Sequence, residues 1–234
     1  MKSRDFIYPR LVLLGNPPCN YVQKYAIIIS MNYETIPAAE TVAKTAAALK
    51  ERNFNPIIVN TKEEALEKVK SLIPAGVSVM NGSSTTLNQI GFVDYLKAGN
   101  TGWNNLHEAI LAEKDPQKQA ELRKQSILAQ YFLISVHVIT ESGQLLIASA
   151  SGSQLPSIVF SSDNVIIVAS TNKIVPTLDD AFVRLKEYVY PLEDARMKST
   201  GASGSVIGKI LIYEREVMPT RKINIILVNE KLGY

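Results

Sequence analysis

NVIIVAS, residues 164–170, is apolar at nearly every position, with valines and isoleucines at its centre. Strands buried on both faces of a parallel sheet read this way, whereas half-exposed strands alternate with polar residues. Parallel strands need crossovers, usually helices, so the flanking elements decide the fold. Downstream, Thr177 caps a helix in LDDAFVRLKEYV, with Asp179 and Asp180 in its first turn. ILIYERE and KINIILVNE then read as a final pair of strands. Upstream, YFLISVHVIT and QLLIASA flank Glu141-Ser142-Gly143, which has the form of a tight hairpin turn.

The N-terminal half alternates helices with strands. Pro37 opens the helix AAETVAKTAAALKER, whose apolar stripe reads as core. FNPIIVN is a short β-branched strand. Thr61 with Glu64 marks a capping box for KEEALEKVKSL, which Pro74 stops. GVSVM is the next strand, TTLNQIGFVDYLKAG a helix broken near Gly91, and two helices follow in WNNLHEAILAEK and PQKQAELRKQSILAQ. Helix–strand alternation followed by hairpins predicts an α/β domain with a mixed sheet.

Residues 1–30 differ. They carry paired prolines and no helical period, and their LVLL run is too short for a signal-peptide core or a membrane span. Organisation begins at Met31, which reads as the initiator of the domain, residues 31–234. The alternative is an N-terminal arm that adds an edge strand through YAIIIS. The net charge of +3 comes entirely from Lys2, Arg4, Arg10 and Lys24 against Asp5, so the remainder is formally neutral. That argues against nucleic acid as a partner. The one cysteine, Cys19, excludes an internal disulfide and a thiolate-held iron–sulfur cluster. His107 and His137 have no metal-ligand spacing, and His137 reads as a satisfied strand histidine. No metal and no cofactor are expected, and a cytoplasmic location is.

Two loops carry the chemistry. Asn81, Gly82, Ser83, Ser84 and Thr85 follow the GVSVM strand; Ser149 lies at the end of QLLIASA, and Ser151, Gly152, Ser153 and Gln154 follow it. Small hydroxyl and glycine residues at a strand end leave backbone N–H groups free for an anion and permit close approach of a ligand. Thr140, Glu141 and Gly143 form a third candidate group, with Glu141 a carboxylate able to act as nucleophile or base, or simply a solvated turn residue. These groups are expected to face one cavity. GASGSVIGKI (201–210) lacks the spacing of a phosphate-binding Walker loop and reads as a flexible loop entering a strand, or one closing over a site. No GxGxxG follows a strand, and there is no GxSxG.

MNGSSTTLNQIGFVDYLKAG, GWNNLHEAILAEKDPQKQAELR, HVITESGQLLIASASGSQLP, NKIVPTLDDAF and PLEDARMK, in this order, resemble the lactate-utilisation (LUD) domain family, in its short single-domain YkgG/LutC-like branch. The resemblance runs from about Met31 to Tyr234. It implies a mixed-sheet fold of the NagB/RpiA/CoA-transferase-like type with helices on both faces. It also implies an accessory or ligand-binding role in oxidation of L-lactate to pyruvate, beside iron–sulfur subunits. The expected ligand is a small anionic metabolite: a carboxylate, a sugar phosphate or a CoA ester. Thr140-Glu141-Ser142-Gly143 is similar to the Ser-Glu-Asn-Gly turn of CoA transferases, identical at Glu141 and Gly143. That implies, as an alternative, a CoA-transferase or acyl-CoA hydrolase chemistry with Glu141 as nucleophile or base.

Overall fold

The computed structural model describes residues 32–234; the expectations placed on residues 1–30 and on Met31 lie outside them. α1 (Ala39–Glu51) turns its apolar stripe, including Val42 and Leu49, inward. β1 (Asn55–Val59) leads to α2 (Lys62–Leu72), where the Thr61 hydroxyl accepts from Glu64 N–H and the Glu64 carboxylate accepts from Asn60 N–H. β2 (Ser78–Asn81) ends at the first signature loop, followed by α3 (Thr85–Gln89) and α4 (Phe92–Lys97). Between these helices Gly91 has φ +79°, a left-handed conformation that breaks the helix where glycine permits it. β3 (Asn104–Asn105), α5 (Leu106–Ala112) and α6 (Pro116–Gln125) complete the first half.

The second half contains β4 (Tyr131–Ile134), β5 (Val138–Thr140), β6 (Leu145–Ser149), β7 (Asn164–Ser170) and β8 (Ile174–Val175). α7 (Leu178–Arg184), started by a complete Thr177–Asp180 capping box, passes through a π-helical turn at Leu185–Val189 into α8 (Tyr190–Ser199). β9 (Lys209–Tyr213) and β10 (Lys222–Val228) close the chain.

The strands form two sheets. Six run parallel in the order β1-β10-β7-β4-β2-β3, and four form a mixed sheet in the order β8-β5-β6-β9. Alternate residues of the large sheet serve two cores. Phe132, Ile134, Val165, Ile167, Ile223 and Ile225 face α1 and the Ile139, Leu145 and Ile147 face of the small sheet. Leu133, Ile166, Val168 and Ile226 face α2, α3 and α4 through Val69, Leu87 and Phe92. The outer face of the small sheet, Val138 and Leu146, is covered by Ala181, Leu185 and Val189. Residues 32–234 form an α/β domain in which both faces of each sheet contribute to a buried core.

Two expectations are corrected. YFLISVHVIT is not one strand: β4 lies in the large sheet, and after Ser135-Val136-His137 the chain enters the small sheet as β5. Both pieces are apolar because each sheet is covered on both faces, so hydropathy gives no sign of the crossing. Nor are the last two strands a pair. β9 pairs antiparallel with β6, while β10 inserts parallel between β1 and β7. Their burial explains the separation: β9 is largely accessible at its start, whereas six of the seven residues of β10 are buried.

Candidate functional site

The carboxyl ends of β2, β4 and β7 lie side by side, because these strands are neighbours in the large sheet. Ligands collect at this edge of a parallel sheet, where loops rather than strands face the opening. Here the three loops meet on one side chain. Lys173, two per cent exposed, points its Nζ at Thr86 Oγ1 (3.1 Å), Ser135 Oγ (3.0 Å) and the Val136 carbonyl (3.1 Å). These three acceptors use the three hydrogens of an ammonium group. No carboxylate among the described residues pairs with it. Burial, and secondarily the Arg184 cation, pushes the Lys173 amine down to about 7.

Arg184 is a second buried cation. Its Nη1 donates to the His137 carbonyl at 2.6 Å, and its guanidinium carbon lies 5.5 Å and 5.2 Å from the ring centroids of Tyr33 and Tyr188. Its Nε and Nη2 are buried with no hydrogen-bond partner, and burial lowers it to about 10. His137 is held neutral by burial and by the nearby Lys173 and Arg184 charges. Its Nδ1 accepts from Ala148 N–H at 3.1 Å, which leaves the proton on Nε2. The expectation is met in part: Nδ1 is engaged and the residue is half-buried, but it lies in the bend between β4 and β5 rather than in a strand, and it borders the site.

Lys173 lines a chamber of about 190 Å³, with Thr86, Ser135 and His137 on one side and the helical face of Leu185, Val189, Glu193 and Arg196 on the other. Arg196 grips Glu193 through two hydrogen bonds of 2.8 and 2.7 Å, and Tyr234 Oη donates to the same carboxylate. That pair is internally neutral, which leaves Lys173, charged below about pH 7, as the unbalanced side-chain cation of the chamber, with Arg184 behind it. A second chamber of about 680 Å³ adjoins it, and Ser83, Ala150, Gln154, Arg196 and Val206 belong to both walls.

Both signature loops meet here. Ser83, Ser84, Thr85, Ser149 and Gln154 line the smaller chamber; Asn81, Gly82, Ser83, Ser149, Ser151, Ser153 and Gln154 line the larger. Some polar groups of these loops are already engaged. Gly82 N–H donates to the Leu133 carbonyl at 2.9 Å, extending the β2–β4 pairing, and Ser84 Oγ caps α3 by accepting from Leu87 N–H. Ser149 Oγ accepts from Gly152 N–H at 3.0 Å, and Gly152 itself lies against the Lys209 side chain without lining either chamber. The 201–208 loop contributes Ser203, Gly204 and Ser205, with Ser205 N–H anchored on Asp194 Oδ1 at 2.8 Å.

The third candidate group is elsewhere. Thr140, Glu141 and Gly143 form the β5–β6 turn against α1 and line neither chamber. Glu141 pairs with Lys44 at 3.1 Å, and Arg52 holds the Ser142 carbonyl at 2.6 Å. Thr140 is buried, and its Oγ1 accepts from Gln144 N–H at 2.9 Å. Gly143 sits at φ +86°, and a Cβ there would stand 2.8–2.9 Å from the backbone of Ala48 and Leu49. The turn needs glycine for close packing on a helix.

A family model, the LUD domain, matches residues 42–228. The chain belongs to the LUD domain family. Among solved structures, this LUD domain is similar to a DUF162 family protein from Deinococcus radiodurans, at 13% identity and a TM-score of 0.47, covering 82% of this chain and 99% of that one. A search of curated proteins finds no match. No helix among the described residues of this LUD domain is long and apolar enough to cross a membrane. Lys173, Glu193, Arg196 and Tyr234 were not candidates on sequence grounds. One signal for Lys173 was present: STNK after NVIIVA repeats the pattern of small polar residues at a strand end found in NGSST after GVSVM.

Proposed function

We propose that this LUD-family chain is an accessory, ligand-binding component of L-lactate oxidation to pyruvate, acting in the cytoplasm and holding an anionic metabolite against Lys173. The observation that carries the reading is the buried Lys173 amine, coordinated by two hydroxyls and a carbonyl and, among the described residues, without a carboxylate, in the wall of a chamber. A buried cation without a counter-charge is costly, and an anion entering the chamber relieves that cost. Hydroxyls of Ser83, Thr85 and Ser149 around the chamber suit a carboxylate or phosphate. Family membership supplies the link to lactate. With one cysteine in the whole chain, electrons would pass through cluster-bearing partner subunits.

The CoA-transferase alternative is not adopted, since the Glu141 carboxylate lines neither chamber and is held by Lys44. The test is calorimetric titration of the chain with pyruvate, L-lactate and inorganic phosphate, beside the Lys173→Met variant. Saturable binding by wild type, lost in a variant that remains folded, is the expected result. Equal behaviour of the two proteins would overturn the proposal.

A further inference from the structure

A three-carbon acid leaves most of this site unused. The polar chamber around Lys173 measures about 190 Å³, but the adjoining chamber, about 680 Å³, falls in the usual range of about 300–1,000 Å³ for pockets that enclose a whole ligand. Its wall is of different chemistry, with Met80, Ile110, Leu111, Ile127, Phe132 and Met197 contributing apolar surface. Two of its lining residues also carry a buried polar atom that lacks a partner among the described residues. Asn81, five per cent exposed, spends its Nδ2 on the Gly82 carbonyl at 3.2 Å, while its Oδ1 is buried with no donor. His107 Nδ1 is likewise buried without a partner. A buried amide oxygen without a donor is destabilising unless a ligand or a water supplies one.

We propose that the ligand is an extended acid, whose anionic head sits against Lys173 and whose apolar body fills the larger chamber and offers an N–H or O–H donor to Asn81 Oδ1. The inference rests on the anion reading of Lys173. The passage between head and body runs past Ser83, Ala150, Gln154 and Val206, which border both chambers. The apolar wall contributes affinity through area removed from water, so binding strengthens as the body lengthens. Asn81 contributes selectivity, because a body without a donor leaves its oxygen unpaired.

The probes are propionate, octanoate and N-octanoylglycine, titrated calorimetrically into the full chain. Octanoate is expected to bind at least tenfold more tightly than propionate, and N-octanoylglycine, which adds an amide N–H, severalfold more tightly again. Leu111 and Ala150 are exposed wall residues, so their variants keep the core intact. Leu111→Ser should reduce octanoate affinity severalfold and leave propionate within twofold. Ala150→Trp, at the junction, should remove the advantage of octanoate altogether. Equal affinity for propionate and octanoate overturns the extended-ligand inference and spares the anion reading. An octanoate advantage undiminished in both variants also overturns it, since the chain then lies elsewhere. Failure of every acid to bind overturns both.

Discussion

Lys173 Nζ lies 3.0 Å from Ser135 Oγ, so a side chain that follows β7 is fastened to the loop that follows β4. The same nitrogen reaches Thr86, after β2, at 3.1 Å. Three neighbouring strands of one parallel sheet thereby bring residues beyond their carboxyl ends to a single amine, and the sheet order makes the site.

This cation sets a pH dependence. An anion stabilises the charged form, and the Lys173 amine is lowered from 10.5 to about 7. Anion affinity is expected to be highest below about pH 7 and to fall toward tenfold per pH unit above it. The other titratable groups lining the chamber are the Glu193–Arg196 pair, Tyr190, Tyr234 and neutral His137, with Arg184 behind them. Stability should run the other way. The unfolded chain binds more protons than the folded one between pH 7 and 10.5, so wild type gains stability across that window relative to Lys173→Met. Titrations and urea melts at several pH values measure both slopes.

Glu141→Gln should leave anion affinity within twofold of wild type, because the carboxylate lines neither chamber. It removes one ion pair with Lys44, whose side chain is 70% exposed, so the loss of stability should stay under about 1 kcal/mol. A large loss of affinity with stability intact would return Glu141 to the site.

Gly143→Ala should destabilise the fold by about 2–3 kcal/mol, since a left-handed backbone and the α1 backbone both oppose a Cβ. Denaturant midpoints test this. The fraction that folds should bind anions normally, which separates a packing glycine from a ligand-contact one.

A buried network joins the β9–β10 connection to the core. Arg221 Nη1 meets Glu216 at 2.6 Å with both side chains at least 95% buried, and Tyr213 donates to the same carboxylate. Burial acts to raise the Glu216 carboxyl, but Tyr213, the Met218 and Val217 N–H groups and Arg221 outweigh it and hold it low. Glu216→Ala leaves the guanidinium buried and unpaired, and should cost about 3–5 kcal/mol in a denaturant titration.

Helix starts and breaks were legible in the sequence because they are local. Thr61, Thr177 and Gly91 act within a few residues of themselves, and each is found in its expected role. The two signature loops were legible for a related reason, since a strand end followed by small polar residues is a contiguous pattern. The pairing of strands was not. Which of β9 and β10 would be central depends on partners more than fifty residues away, and both are apolar. Lys173 was hidden differently: its significance lies in Thr86 and Ser135, 87 and 38 residues distant in the chain. Glu141 stood out as an acid in a turn, but a sequence does not reveal that Lys44 of a distant helix waits beside it.

The position of β10 bears on how the molecule is made. Residues 222–228 come after every other strand of their sheet in the chain, yet they fill the gap between β1 and β7 and pair with both. Until they arrive, β1 has no neighbour in its sheet, and β7 has an unpaired edge on the side away from β4. A chain under synthesis therefore holds these strand edges open until β10 has been made, a state in which contacts with chaperones or with other copies compete with folding. Completion of the six-stranded sheet therefore waits on the strand that comes last among its members in the chain.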